Sequence, residues 1–286
     1  MRLPASDRSL ECYRLSGGGN DFLALAEPTI EPEPEEIRAW CTRGLSLGAD
    51  GLFTLERVAD RVRMNYFNAD GRPAALCLNG TRCAARLAAR LGWTDGSLEI
   101  ETGAGIVQAE VVDDTMVRLV LDPPQSRPEH RTATVGADDW QGWYLLVGVP
   151  QFVLLWPESL AEAPVTTLGA ALRRHSVFGE AGANIMFTRV VAPDRFEIRS
   201  YERGVEAETL ACGTGVLASA AAALHNGLLS LPTTALTGGG FEFEVAGQVD
   251  SEGFPLAWSL AGDARLLARL DLHPGARAVP APPVWT

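Results

Sequence analysis

The sequence predicts an α/β fold of the α+β type, strand-rich, in two related halves with one buried helix in each. Three observations carry this. A unit of strand, polar turn and Cys-x-x-Gly helix occurs twice, about half a chain apart. Both helices consist of small, helix-favouring residues, and the second is apolar on nearly every face, so it must be surrounded. Short alternating runs separated by turn residues occupy much of the rest. With 286 residues, 47% of them hydrophobic, the chain is long enough for two domains and a sizeable core.

The elements follow in order. Residues 63–71 (RMNYFNADG) alternate as a strand and end in a turn. A helix opens near Cys77 and runs through an Ala-rich stretch to Gly92, a residue suited to a helix C-cap. Residues 98–101 and 116–121 alternate as further strands. Residues 122–130 (DPPQSRPEH) carry three prolines, which break any regular element and mark the domain boundary. Residues 195–204 (RFEIRSYERG) repeat the strand-and-turn design, and the second helix runs from Cys212 to Gly227. Each glycine stands 15 residues after its cysteine. A further strand is expected at 241–245. The expected division is an N-terminal half at 10–124, a C-terminal half at 131–272 and a flexible Pro/Ala-rich tail at 273–286. Two copies of one unit suggest a site between two halves.

Composition narrows the function. The net charge of −12 repels phosphate backbones and anionic lipid, so neither nucleic acid nor a membrane surface is an expected partner. The longest small or apolar run, residues 216–224, is too short to cross a bilayer. The N-terminal residues lack the apolar core of a signal peptide. Five cysteines in a chain this long do not form a disulfide framework, and a cytoplasmic location with reduced thiols is expected. The four histidines (His130, His175, His225 and His273) are too scattered for a metal site and pair with no cysteine motif, which argues against a Cys/His hydrolase.

Cys77 and Cys212 are the candidate catalytic groups. At a helix N-terminus, free N–H groups and the helix dipole favour negative charge and ease ionisation of a thiol. The N–H groups of Leu78 and Asn79, and of Gly213 and Thr214, form potential carboxylate cradles. Two such helix starts facing one another would hold one carboxylate and present a sulfur on each side. That suits inversion at an α-carbon, where one group removes a proton and its opposite number delivers one. N–H dipoles aimed into a dry site would stabilise the carbanion-like state between. Cys12, Cys41 and Cys83 read instead as small buried hydrophobes. No Cys-x-x-Cys occurs, which argues against a redox pair.

Seven motifs occur in one order: 16–22 (SGGGNDF), 48–52 (GADGL), 67–71 (FNADG), 77–83 (CLNGTRC), 183–187 (ANIMF), 202–205 (ERGV) and 208–215 (ETLACGTG). Together they resemble the successive motifs of the diaminopimelate epimerase family, over roughly residues 11–272. The resemblance implies two pseudo-symmetric halves, each a strand-rich barrel-like sheet around a central helix, with the active site in the cleft between them. It implies interconversion of LL- and meso-diaminopimelate without pyridoxal phosphate, another cofactor or a metal, in lysine and cell-wall precursor synthesis. A cytoplasmic homodimer is implied. The family's catalytic cysteines fall on Cys77 and Cys212, its substrate-binding asparagines on Asn20, Asn68 and Asn184, and its Glu-Arg pair on Glu202 and Arg203. The carboxylate cradle falls on Leu78, Asn79, Gly213 and Thr214. Arg203 can grip a carboxylate bidentately, and asparagines can orient an amine and a second carboxylate.

The sequence departs from the family pattern at four places. Leu78 follows the first cysteine where a glycine is usual. Ser16 stands where a histidine is frequent. Val149 replaces an asparagine that helps bind the far end of the substrate. Gln151 replaces a histidine that tunes a cysteine, and glutamine cannot titrate. Glu202 and Gln151 are therefore the candidate modulators of thiol acidity. The Val149 and Gln151 departures keep open a racemase of another amino acid, such as histidine, with the same two cysteines. Readings of a different class are a thiol-redox protein and a non-catalytic amino-acid-binding protein.

Overall fold

A computed structural model describes residues 10–29 and 31–277. They form two compact units: residues up to 119 together with those from 263, and residues 120–262.

The first unit opens with a hairpin, β1 (Leu10–Gly17) and β2 (Asn20–Ala26). Helix α1 (Pro34–Cys41) crosses to β3 (Gly51–Val58), which lies parallel to β2. Strand β4 (Arg61–Asn68) returns antiparallel to β3, and the short β5 (Pro73–Ala74) pairs with its end. Helix α2 (Leu78–Arg90) then crosses to β6 (Ser97–Thr102), parallel to β4. A hairpin adds β7 (Gly105–Val111), and the unit ends within β8 (Met116–Leu121).

The second unit repeats this plan. Strand β9 (Glu129–Val135) pairs with β10 (Asp138–Val147), which forms a hairpin with β11 (Val149–Leu155). Helix α3 (Val165–Arg173) crosses to β12 (Asn184–Ala192), parallel to β11. Strand β13 (Arg195–Glu202) returns, and the short β14 (Ala207–Thr209) pairs with its end. Helix α4 (Gly213–His225) crosses to β15 (Thr233–Thr237), parallel to β13. Strands β16 (Glu242–Val249) and β17 (Pro255–Asp263) complete the unit. The order hairpin, parallel crossover, hairpin, short strand, helix, parallel crossover, hairpin is thus common to both.

Strand β18 (Arg265–Leu272) follows, and it corrects the division expected from sequence. It pairs along β1, from Leu10 opposite Leu272 to Ser16 opposite Arg265, and so belongs to the first unit. The expected assignment of residues up to 272 to the C-terminal half followed chain order. Backbone pairing decides otherwise, because β18 gives the β1 edge a ladder it would lack. Of the expected tail, residues 274–277 form a short helical turn, α5 (Pro274–Arg277), and 278–286 lie outside the described residues.

Alternation along each strand separates two apolar layers. In the second unit, Ile185 and Phe187 of β12 join Phe152, Leu168, Leu172 and Tyr201 in the cluster beneath α3. The intervening residues face α4: the Thr188 hydroxyl donates to Ser219 at 2.7 Å, and Met186 lies against Gly215. In the first unit, Cys12, Leu23, Leu25 and Leu52 pack with Ile37 and Trp40 of α1. Helix α2 packs against strands of its own unit, β1 to β4, β6, β7 and β18. Both helices end as their glycines indicate, with Gly92 at φ +72° and Gly227 at φ +66°.

Helix α4 is buried on every side, with Val216, Ala218 and Ala220–Ala223 fully inaccessible. Small residues let β10–β13 approach it. Ala220→Leu should therefore overpack the unit and cost about 1–3 kcal/mol, read as a lower urea midpoint; an unchanged midpoint would show slack around α4.

Candidate active site

In the first unit the residues expected from sequence gather where α2 begins. Cys77 is the N-cap, half-buried, and its Sγ accepts from the Gly80 N–H at 3.4 Å. The Tyr66 hydroxyl, on β4, hydrogen-bonds the same sulfur, and burial and that sulfur both raise the phenol's pKa, so it stays a donor. The Leu78 and Asn79 N–H groups lie in the first turn, where no intrahelical acceptor exists. Leu78 takes the place of a small residue by burying its side chain, 6% exposed.

The β1–β2 hairpin rests on this helix start. Gly18 (φ +57°) has Asn79 Oδ1 only 2.8 Å from where a Cβ would stand, so a side chain would drive the turn off the helix. The hairpin delivers Asn20, whose Oδ1 accepts from Asn79 Nδ2 at 2.8 Å and whose Nδ2 donates to Asp50 at 3.0 Å. Asn68 ends β4 in an exposed turn closed by its backbone N–H to the Arg72 carbonyl, 2.9 Å; its side chain has no partner among the described residues.

In the second unit Cys212 caps α4 and is 5% exposed. The Glu202 carboxyl, at the end of β13, hydrogen-bonds it. The Thr209 hydroxyl donates to Glu202 Oε1 at 2.5 Å. On the other side, Gln151 is fully buried and donates from Nε2 to Thr214 Oγ1 at 3.0 Å. That hydroxyl lies 3.5 Å from Cys212 Sγ. Because Gln151 occupies an oxygen lone pair, the Thr214 proton is available to the sulfur. Gln151 thus reaches the thiol through one hydroxyl. Gly213 is buried and Thr214 half-buried in the first turn. Asn184 pairs with Gln151 across the β11–β12 ladder, and its Oδ1 accepts the Arg203 backbone N–H at 2.8 Å. The Arg203 guanidinium is half-buried and makes no ion pair among the described residues. Val149 opens β11 beside Gly148 and brings no polar group to the site.

The fourth residue of each Cys-x-x-Gly has the same cause. A Cβ on Gly80 would stand 3.2 Å from Met64 Cε, and one on Gly215 only 2.4 Å from Met186 Sδ. Glycine there lets a strand methionine pack beside the cysteine.

The thiols differ in electrostatics. Sequence suggests that the helix dipole eases ionisation of both. At Cys212 two stronger effects act against it: burial, then the Glu202 charge, push this thiol well above its ordinary value. Burial likewise raises Glu202 above the usual carboxylate range, against hydrogen bonds from Thr209 and Cys212. Cys12 and Cys41 are pushed up by burial to about 11 and about 12, and Cys83, fully buried, is also raised. These three are inert thiols of the core. Sequence reasoning did not single out Tyr66, Thr209, Asp50 or Arg82. Asp50, Arg82 and Thr209 lie inside motifs 48–52, 77–83 and 208–215 but have no role of their own in that reading; Tyr66 lies outside the motifs, and its signal is its place two residues before Asn68 on the same face of an alternating strand.

Two predictions follow from this chemistry. Iodoacetamide should label Cys77 of the native protein first, with Cys12, Cys41 and Cys83 unlabelled by mass spectrometry; Tyr66→Phe, which removes a donor worth about 1 kcal/mol to the thiolate, should slow that labelling roughly fivefold at neutral pH. Preferred labelling of Cys83 would contradict the burial described. A carboxyl raised on folding stabilises most below its unfolded value and loses that contribution as pH rises through its folded value. Glu202→Gln should accordingly lose less stability than the parent protein as pH rises from 4.5 to neutrality, measured by urea unfolding; parallel pH curves would count against it.

Known proteins share this chain's sequence pattern and its fold. The sequence model of the family described as Diaminopimelate epimerase matches residues 12–126 and 143–251. The diaminopimelate epimerase of Aquifex aeolicus is 36% identical over 247 residues, covering 81% of this chain and 88% of its own. That of Chlorobaculum tepidum is 39% identical over 212 residues, covering 72% and 80%. Among solved structures, a hydroxyproline epimerase from Agrobacterium vitis with bound trans-4-hydroxy-L-proline superposes with a TM-score of 0.69 at 14% identity, covering 96% of this chain and 94% of that one. A putative PhzC/PhzF protein from Clostridium difficile gives 0.69 at 12% identity, covering 92% and 99%. At such identities these two structures share the fold. Matched over most of its length by the family model and by relatives more than a third identical, the chain belongs to the diaminopimelate epimerase family.

Proposed function

We propose that this protein interconverts LL- and meso-diaminopimelate by moving the α-proton between Cys77 and Cys212, with no cofactor. The observation that carries the reading is the repeated helix start: two cysteines, each capping a buried helix, each followed by first-turn N–H groups suited to a carboxylate. The family relation supplies the substrate.

In this mechanism one sulfur is a thiolate and the other a thiol. The thiolate takes the α-hydrogen as a proton, the carbon keeps the electron pair, and the thiol returns a proton to the opposite face. Nothing is oxidised or reduced. The first-turn N–H groups of Leu78, Asn79, Gly213 and Thr214 hold the α-carboxylate and stabilise the charge that develops beside it. Arg203, with Asn20, Asn68 and Asn184, holds the distal amino-acid end of diaminopimelate. Glu202, and Gln151 through Thr214, set the acidity of Cys212. The chemistry requires the two sulfurs to serve opposite faces of one α-carbon.

A second reading rests on Val149 and Gln151. An apolar side chain at 149 removes a polar contact expected for the distal end, which favours an amino acid with a different side chain. We also read the enzyme as a cytoplasmic homodimer that contributes to lysine synthesis. No disulfide joins the five cysteines among the described residues, which suits a reducing compartment.

Incubation in D₂O decides between the two substrates. Deuterium should enter the α-position of LL-diaminopimelate, and of no other amino acid in a panel. Uptake into another amino acid instead would favour the second reading; uptake into none would sink both. Cys77→Ala and Cys212→Ala should each lower net epimerisation by about 100-fold or more, while exchange at one face survives.

A further inference from the structure

A chain of hydrogen bonds in the first unit has a charged group at each end. Arg82, fully buried in α2, donates from Nη2 to Asn79 Oδ1 at 2.6 Å. Asn79 Nδ2 donates to Asn20 Oδ1 at 2.8 Å. Asn20 Nδ2 donates to Asp50 Oδ2 at 3.0 Å. The other Asp50 oxygen accepts from Arg43 at 2.7 Å, and Arg82 Nε is held on the Asp263 carbonyl at 3.3 Å.

A carboxamide can be turned over with little change of shape, exchanging its donor and acceptor ends. Here neither amide has that freedom. A guanidinium only donates and an ionised carboxylate only accepts. Turning Asn79 alone would set N–H groups against Arg82 and oxygen against oxygen at Asn20. Turning both would leave Asn20 oxygen against the Asp50 carboxylate. The polarity of the chain is therefore dictated by its ends. Each half of the Asn20 carboxamide keeps one unused valence: one N–H, and one lone pair on Oδ1. Asn20 is half-buried beside the Cys77 helix start.

We propose that Arg82 and Asp50 are positioning residues for substrate binding. By fixing the polarity of the Asn79 and Asn20 carboxamides, they make Asn20 present its donor and acceptor in one orientation to a zwitterionic amino-acid group. A carboxylate of the ligand then meets N–H, and an ammonium meets oxygen; the reverse placement is rejected. This deepens the reading above and rests on its assignment of Asn20 to the substrate.

The test exchanges the ends of the chain. Asp50→Asn removes the charged acceptor, but Arg82, acting through Asn79, still holds Asn20 in its orientation. Asn79→Asp places a second carboxylate beside Asn20, so the Asn20 oxygen faces an anion whichever way it turns. In the double variant D50N/N79D the atoms and charge are conserved and every link is again satisfied, but Asn20 is reversed. The Asp21 N–H, which also reaches Asp50 Oδ2 at 3.2 Å, loses that acceptor in the double variant, a loss that can only lower its melting temperature.

Melting temperature reads the chain itself. The double variant should melt above Asn79→Asp. Independent, additive shifts would overturn the directional chain. Substrate KM reads its consequence. It should be at least about tenfold higher in the double variant than in D50N, with kcat changed less, and the regained thermal stability should not restore it. A double-variant KM equal to that of D50N would overturn the positioning role. If the parent protein is inert to diaminopimelate the proposed function fails, while the melting temperatures still decide the polarity of the chain.

Discussion

The N–H groups that open α2 and α4 are the interaction on which the rest of the structure depends. Each helix must point its first turn at a cysteine and its remaining turns into protein. For that, α4 has become almost wholly alanine and other small residues, because strands approach it from every side. A helix so buried cannot leave its opening N–H groups unsatisfied at no cost. In α2 the Cys77 sulfur and carbonyl take the N–H groups of Gly80 and Thr81. The N–H groups nearer the cysteine remain for an anion. The glycines of the Cys-x-x-Gly motifs follow from the same geometry, since Met64 and Met186 occupy the space a side chain would need.

Around this shared frame the two thiols are provided for differently. Cys77 is half-buried and receives a phenol hydroxyl as well as the Gly80 N–H. Both are neutral donors, and both favour sulfur with negative charge. Cys212 is buried and shares a hydrogen bond with a carboxyl that is itself pushed toward its neutral form. Ionising both Glu202 and Cys212 in that space would set two anions together without water. Proton transfer across an α-carbon needs one thiolate and one thiol at any moment. The surroundings of the two thiols therefore differ: burial and a carboxyl disfavour the Cys212 thiolate, whereas a phenol hydroxyl and a backbone N–H donate to Cys77.

Local chemistry was legible in the sequence; pairing between distant segments was not. Both buried helices, their cysteine starts and their glycine ends could be read because propensity, capping and burial all act within a few residues. The place of β18 could not. Its residues follow the second unit in the chain, and only the ladder to β1, more than 240 residues earlier, decides where they fold. The site divides in the same way. Asn20, Asn79, Asn184 and Glu202 carry motif signals and Gln151 stands out as a departure, whereas Arg82, though inside the 77–83 motif, reads as an ordinary charge within a helix until its burial is known. The helix dipole was legible at Cys212, but the desolvation that opposes it depends on which strands surround the sulfur.

Gln151 shows why a departure from a family pattern need not empty a position. A histidine there could exchange a proton with its neighbour; glutamine cannot. Yet its amide still donates to Thr214, and so still holds a hydroxyl 3.5 Å from the Cys212 sulfur. What is lost is titration, and what is kept is orientation. Cys212 has a second partner, Glu202, whose raised acidity range lets it gain or release a proton nearer neutrality than an ordinary carboxyl. Glu202 thus supplies a titratable group beside Cys212, and Gln151 a fixed donor to Thr214. Val149 has no such compensation, since nothing at the start of β11 replaces a lost polar contact. The identity of the amino acid at the site thus turns on position 149 far more than on position 151, and the reaction turns on neither.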